Sequence, residues 1–382
     1  GDLRRLIEKK NNLNLKIFNF LNINPISIFE SDLDNNLYSK IEKLKIKRSK
    51  NLIISKILVL DKNKKFKYIL DVKEFDTNHN YKNTCIIGLG HIGIPLAVHI
   101  LKNSDKIYGV DNDKTKIKNL KKFKIDFYEK NLYDDLLLNI KQKKFILSHQ
   151  LKKCQAENYI ICLGTHFHNK NVNNKAIIKI ANELGKILKK GDLVILRGTV
   201  QVGTTRKILL RNLENKSSLK CGKDFYLSYM PERLIEGNAL EEMENIPTLI
   251  SAYSEKCLEK TINFAKLHFK NYLSLKSFEE AEIIKLTSNT YRDFKFAFAN
   301  EVTRIANQNN LSGKELIQKA NFGYDRNDIP SPSIGVGGFC LPKDPYLFNK
   351  SLNSKGNFTL NFNSREINKN SMKINFIKIK NI

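Results

Sequence analysis

The sequence predicts an α/β chain: a doubly wound parallel sheet followed by a mostly helical region, with a small α/β unit in front. Three observations carry this. Short apolar runs alternate with amphipathic helical stretches between Cys85 and Leu227, a glycine-rich turn follows the first run, and from about Phe278 the apolar spacing changes to a helical period. At 382 residues the chain exceeds one ordinary domain, and it divides here into 1–76, 83–270 and 276–382.

In the first part, Lys56–Asp61 and Lys67–Asp71 read as strands around a turn at Asp61 to Lys65, with helical stretches at Asp2–Lys10 and Leu33–Leu44. The polar run Thr77 to Asn83 reads as a linker. Beyond it, Cys85–Ile87, Ile107–Val110, Tyr159–Leu163, Leu193–Leu196 and Phe225–Leu227 are predicted buried strands of a helix-covered parallel sheet.

The first of these strands runs into Gly88-Leu89-Gly90-His91-Ile92-Gly93 and then into Ile94, Pro95, Leu96, Ala97 and Val98, a helix start. In this G-x-G-x-x-G spacing Gly88 permits the tight turn, Gly90 admits a pyrophosphate against the backbone, and Gly93 lets the helix pack close to the strand. Asp111 ends the second strand about 20 residues on, where a carboxylate accepts the ribose hydroxyls of NAD and repels a 2′-phosphate. The expectation is a Rossmann-type domain binding NAD through Gly88, Gly90, His91, Ile92, Gly93 and Asp111, with Asp113 a solvated neighbour.

The helical period from Phe278 runs through Ile283, Ile284, Leu286, Tyr291, Phe294, Phe298 and Val302, and Lys285 and Asn289, four apart, share one face. A Gly/Pro-rich loop follows from Pro330 to Pro345. Within it, Gly335 to Phe339 brings the backbone close to a ligand beside Cys340, and Lys343 is placed to favour the nucleophilic thiolate. Cys85 and Cys162 fall in apolar strands and read as inert core thiols.

The six cysteines form no CxxC pair, which argues against a disulfide framework or a zinc site. His166 and His168 lack acidic or thiol companions at ligand spacing and read as loop residues; no metal is expected. The net charge of +27 comes from lysines spread along the whole chain, with no basic stripe, so nucleic acid is not an expected partner. No run reaches the roughly 18 to 20 apolar residues of a membrane span and no secretory signal opens the chain, so the expectation is a cytoplasmic protein with no membrane partner.

Five ordered segments carry a resemblance: Gly88–Gly93, Gly198-Thr199-Val200-Gln201-Val202-Gly203-Thr204-Thr205, Met230-Pro231-Glu232-Arg233-Leu234-Ile235-Glu236-Gly237, Glu282-Ile283-Ile284-Lys285 to Asn289-Thr290-Tyr291-Arg292, and the Cys340 loop. In this order they resemble the UDP-glucose/GDP-mannose dehydrogenase family. Glu236-Gly237-Asn238-Ala239-Leu240 and Ser364-Arg365-Glu366-Ile367-Asn368 point to its UDP-N-acetylhexosamine branch (N-acetylmannosamine or N-acetylglucosamine).

That resemblance implies an NAD-dependent oxidoreductase that takes the C6 alcohol of a UDP-sugar to a uronic acid for surface polysaccharide biosynthesis. It implies two hydride transfers, two NAD per sugar, and a thiohemiacetal and thioester on Cys340. Lys285 and Asn289 are then oxyanion donors, Glu232 the hydrolytic base and Glu236 a positioning group. Thr199 holds a water and lies near the cofactor, Asp344 accompanies the nucleophile, and Thr165 lies near NAD. It also implies a homodimer through the long helix, Ala281 to Asn307.

Departures are Phe339, where the family has a small or polar residue, and Gly164 and His166, in place of prolines around Thr165. Family members continue into a third, UDP-binding domain, whereas this chain ends at Ile382; it also lacks an initiating Met, so both ends are expected to be cut. Asn24-Pro25-Ile26 through Phe75 resembles a cystathionine-β-synthase-type (CBS) repeat, and Gly1-Asp2-Leu3-Arg4-Arg5 the closing turn of another, implying an adenine-nucleotide-binding or dimerising appendage. The competing expectation is a nucleotide-binding regulatory protein that has lost catalysis.

Overall fold

The computed structural model describes residues 27–29, 56–71, 83–168, 171–352 and 359–380, in two compact units, 1–81 and 82–382. In the first unit β1 (Ser27–Phe29), β2 (Lys56–Leu60) and β3 (Phe66–Asp71) form one sheet, β1 parallel and β3 antiparallel to β2. The hairpin turns on Asp61, whose carboxylate accepts from the N–H groups of Asn63 and Lys65 at 2.8 and 2.9 Å. These strands match expectation to within a residue. The helices expected at Asp2–Lys10 and Leu33–Leu44, and most of the CBS-type segment, lie outside the described residues.

The second unit is built on β4 (Thr84–Ile87), β5 (Ile107–Val110), β6 (Phe145–Ser148), β7 (Asn158–Ile161), β10 (Leu193–Leu196), β11 (Tyr226–Tyr229), β12 (Thr248–Ala252) and β13 (Tyr272–Ser274). Their spatial order is β6-β5-β4-β7-β10-β11-β12-β13. The first six are mutually parallel, β12 is antiparallel to β11, and β13 is parallel to β12. Chain order therefore reverses at β4, the switch point where such sheets open a crevice at their carboxyl ends.

Alternation along β4 decides the two cores. Cys85 and Ile87 face one layer with Ile177, Ile180 and Leu184 of the helix Lys175–Gly185, while Ile86 faces the other with Ile94, Val98 and Phe264. Both faces of the sheet are thus covered, which is why its strands read as continuous apolar runs.

Some edges differ from expectation. The third predicted strand stops at Ile161, so Cys162 and Leu163 leave the sheet, and the fifth begins at Tyr226 because Phe225 bridges back to Cys221. The strands β6, β12 and β13 were not foreseen; they are short and lie at or near the sheet edges, where an apolar run of three to five residues carries no distinguishing period. His166–His168 and Asn171–Asn173 pair as a small antiparallel hairpin, β8 and β9, correcting the loop assignment of His166 and His168.

The helical part begins at Ser277, whose hydroxyl caps a 31-residue helix, Phe278–Gln308, by accepting from Glu280 N. Helices Gly313–Asn321, Asp344–Asn349 and Leu360–Lys380 pack on it. The apolar positions that reveal this helix in the sequence do not form its buried face: Leu286 is buried, but Ile283, Tyr291 and Phe298 are exposed. The face turned inward carries Glu282, Lys285, Asn289, Asp293 and Asn300 among alanines. Among the described residues no helix is long and apolar enough to cross a membrane.

Candidate active site

The glycine turn closes because Gly88 adopts φ 96° and donates its N–H to Val110 O at 2.8 Å. A Cβ on Gly93 would lie 1.9 Å from Gly88 O, whereas one on Gly90 would meet nothing within 4 Å. The turn therefore needs glycine at 93 for its own packing, and at 90 it leaves space for a ligand. The helix Gly93–Leu101 starts there and brings the positive end of its dipole to the turn, with Ile94 N and Leu96 N donating to Gly90 O and Ile92 O at 3.1 Å.

Beside the turn, a crevice of about 620 Å³ is lined by Gly88, Asp111, Asn112, Leu163 and Ile180. Asp111 is buried: Oδ2 accepts from Leu89 N at 3.0 Å, Oδ1 from Asp113 N at 3.0 Å, and Lys116 Nζ lies 3.3 Å from Oδ2. Asp113 is more than a solvated neighbour, since its carboxylate caps the helix Lys114–Lys121 through Thr115 N and Lys116 N. The volume, the open position at Gly90 and the carboxylate at the end of β5 fit a bound dinucleotide.

The same turn walls a second cleft of about 350 Å³ on its other side, formed by Gly90, His91 and Ile92, by Glu232 and Glu236, and by Cys340 and its neighbours. Lys285 Nζ stands 3.6 Å from Glu232 Oε2, both side chains buried, and Glu232 Oε1 also accepts from Leu234 N. Asn289 Nδ2 donates to Asp344 Oδ2 at 2.6 Å, and Lys343 Nζ donates to Asp344 Oδ1 at 2.5 Å. Lys285 and Asn289 share the expected face, but each holds its own carboxylate instead of a common oxygen.

Cys340 is half-buried, and burial followed by the Asp344 carboxylate pushes its thiol above the ordinary value; Lys285 and Lys343 offset this only in part. Lys343 does favour the thiolate, as expected, but burial and Asp344 outweigh it. Cys162 packs against the core as an inert thiol, as expected, but also reaches the wall of the same cleft. Burial pushes its thiol up to about 12, which keeps it protonated.

Thr165 and Thr199 are brought together, Thr165 N donating to Thr199 O at 3.0 Å, and both are buried. Neither lines the two clefts as Leu163 and Cys162 do. Glu236 is half-exposed, with Oε1 2.9 Å from His91 Nδ1. Among the described residues no group of three or more His, Cys, Asp or Glu side chains is arranged to hold a metal ion.

Four residues given no role in the sequence reading support the site. Glu282 is fully buried and accepts from Gly203 N, Thr205 N and Thr205 Oγ1 at 2.5, 2.9 and 2.7 Å, fastening the long helix to the loop after β10. Arg365 spans Asp293 Oδ1 at 2.7 Å and Val336 O at 2.9 Å, anchoring the Cys340 loop to two helices. Glu129 accepts from Gly237 N and Leu240 N, setting the backbone next to Glu236. Arg292 lines the cleft. Glu282, Arg292 and Arg365 fall inside motifs already singled out, which was the available signal; Glu129 gave none.

Comparison with known proteins agrees with this geometry. Residues 82–269 match the NAD binding domain of the UDP-glucose/GDP-mannose dehydrogenase family, and residues 279–370 match that family's central domain. A UDP-N-acetyl-D-mannosamine dehydrogenase from Campylobacter jejuni is 32% identical over 277 residues, 70% of this chain and 67% of that protein. One from Pyrococcus horikoshii is 31% identical over 284 residues, 74% of this chain and 67% of that protein. The solved UDP-D-ManNAc dehydrogenase from Pyrococcus horikoshii superposes with a TM-score of 0.71 at 29% identity, covering 76% of this chain and 68% of that one. The UDP-N-acetyl-mannosamine dehydrogenase from Staphylococcus aureus gives 0.68 at 27%, covering 78% and 70%. With both family regions present in order on the expected fold, the chain belongs to the UDP-glucose/GDP-mannose dehydrogenase family of NAD-dependent oxidoreductases.

Proposed function

We propose that this chain oxidises the C6 alcohol of a UDP-N-acetylhexosamine to a carboxylate. The observation that carries the reading is the meeting of Cys340 and Glu232 at a cleft sharing the glycine turn with the dinucleotide crevice, with the buried Lys285 ammonium 3.6 Å from Glu232. The relatives' names support the N-acetylhexosamine, and Arg292 supplies donors suited to an amide or phosphate oxygen.

NAD supplies the hydride acceptor, once for the alcohol and once for the thiohemiacetal. In the first oxidation the C6 hydroxyl proton passes to the Lys285–Glu232 pair as its hydride departs. Cys340 Sγ then bonds to the aldehyde carbon and its proton ends on the new hydroxyl, with Lys285 and Asn289 stabilising developing oxygen charge. Loss of the second hydride and of that hydroxyl proton leaves a thioester. Water deprotonated by Glu232 cleaves the C–S bond to release the carboxylate and restore the thiol. Asp344 fixes Asn289, and Glu236 positions the sugar.

In this reading the enzyme works in the cytoplasm, in surface polysaccharide biosynthesis, as a homodimer. Exposed Ile283, Tyr291, Phe298 and Ile305, seven or eight residues apart along one face of the long helix, support the dimer. The N-terminal unit is a CBS-type appendage on the strength of its sequence resemblance, and calorimetry of AMP on the full chain tests it.

The decisive experiment is NADH formation from UDP-N-acetylmannosamine, UDP-N-acetylglucosamine, UDP-glucose and GDP-mannose, with Cys340→Ser as control. Two NADH per sugar, lost in the control, is the expected result. No turnover with any of them, despite NAD binding, would overturn the proposal.

A further inference from the structure

His91, at the fourth position of the glycine turn, sends its ring away from the dinucleotide crevice and into the sugar-side cleft. Its faces are packed by two aromatic rings, Phe127 at 4.4 Å and Phe339 at 5.0 Å between centroids. Nδ1 is shielded from solvent and lies 2.9 Å from Glu236 Oε1, a close approach short of linear hydrogen-bond geometry.

The partner carboxylate is held by its own backbone. Gly237, at φ 91°, donates to Glu129 Oε2 at 3.0 Å and accepts from Lys130 N at 3.2 Å, and Leu240 N donates to Glu129 Oε1 at 3.1 Å. Residues 127–130 therefore supply both the ring against His91 and the anchor for the segment that carries Glu236. Phe339 precedes the nucleophile and is 70% exposed, so its contact with His91 is a direct link between the phosphate-binding turn and the Cys340 loop.

We propose that His91 is a positioning residue: its imidazole holds Glu236 Oε1 so that Oε2 faces a hydroxyl of the hexose, and its ring face steadies the Cys340 loop through Phe339. The first half rests on the dehydrogenase reading above; the second does not. A solvated carboxylate beside a packed histidine is the competing description, and it predicts no energetic coupling between the two.

The nitrogen and the ring are separable by substitution in the full chain. His91→Phe keeps the stack and removes Nδ1, and His91→Asn returns a donor near the same place. In steady-state kinetics His91→Phe raises the KM for the nucleotide sugar about tenfold, the loss of one close polar contact to a charged group. It leaves the KM for NAD within about twofold. Glu236→Gln does the same, the double variant is no worse than either single one, and His91→Asn recovers most of the loss. An unchanged sugar KM in His91→Phe, or a double variant showing the product of the single effects, overturns the coupling.

The loop arm needs no turnover and so survives failure of the dehydrogenase reading. Carbamidomethylation of Cys340 by iodoacetamide, followed by mass spectrometry, is faster by about threefold or more in His91→Ala, and near the wild-type rate in His91→Phe. Equal rates in wild type and His91→Ala overturn it.

Discussion

Asn289 donates to Asp344 across 2.6 Å, and this bond joins the middle of the long helix to the residue four places after Cys340. Asp344 is wholly buried and also receives Lys343, so a chain segment rich in glycine is fixed at its far end by two donors. Its negative charge also reaches Cys340, whose thiol it helps to raise.

Asp344→Asn separates these two effects. Removing the anion takes away the second largest cause of the raised Cys340 thiol, so the thiolate fraction at neutral pH rises. Alkylation of Cys340 at pH about 7.5 should be about threefold faster or more. Turnover should fall by at least about tenfold, because the amide keeps one acceptor oxygen where Asn289 and Lys343 each use one. Slower alkylation would show that Asp344 acts on the thiol through loop geometry and not through charge.

Glu282→Ala leaves three donors, Gly203 N, Thr205 N and Thr205 Oγ1, without an acceptor inside the protein. The expected loss is about 3 kcal/mol, read as a fall in Tm of about 6 to 12 °C. Burial raises this carboxyl above the ordinary glutamate value. Its protonation therefore favours the folded state: that contribution is full below the unfolded value of about 4.3 and is lost as pH rises through the folded value. The stability difference between wild type and Glu282→Gln should thus shift against the wild type on going from acid to neutral pH, by urea unfolding; a shift the other way would contradict the sign.

Arg365→Lys keeps the charge and loses the fork that reaches Asp293 and Val336 together. Burial already raises Asp293, with Arg365 the main opposing influence, so a weakened pair is felt as well as a loosened loop. Chemical denaturation should show a loss of about 2 to 4 kcal/mol. At permissive temperature kcat should drop more than the KM for NAD changes; a stability loss with unaltered kcat would leave the anchor with no role in placing Cys340.

Two glycines of one turn should respond differently. Gly93→Ala drives a Cβ into Gly88 O, so Tm and NAD affinity fall together. Gly90→Ala meets no protein atom and should leave Tm within about 2 °C while weakening NAD at least about tenfold, by NADH fluorescence titration. Tight NAD binding by Gly90→Ala would place the pyrophosphate elsewhere.

The sheet was legible where strands are buried on both faces. Ile107–Val110 and Leu193–Leu196 are apolar throughout and were read to the residue, as was the start of the long helix at Phe278. Strands such as Phe145–Ser148 and Tyr272–Ser274 were not, because a short edge strand needs a neighbour before its pattern means anything. Cys340, Glu232 and Lys285 stand out in local motifs, yet the contacts around them are invisible there: Glu232 with Lys285 spans 53 positions, and Asn289 with Asp344 spans 55.

By itself the sequence determined the doubly wound class, the glycine turn and the inventory of chemical groups, since these depend on periodicity and on residue type at short spacing. Tertiary structure alone decided which charge faces which. It turned the polar face of Phe278–Gln308 inward and left Ile283, Tyr291 and Phe298 exposed, paired Lys343 with Asp344 beside Cys340, and put Cys162 on the cleft wall. The physical reason is that a buried charge is tolerable only beside its partners, and those partners are set by how distant segments pack, which no local pattern encodes.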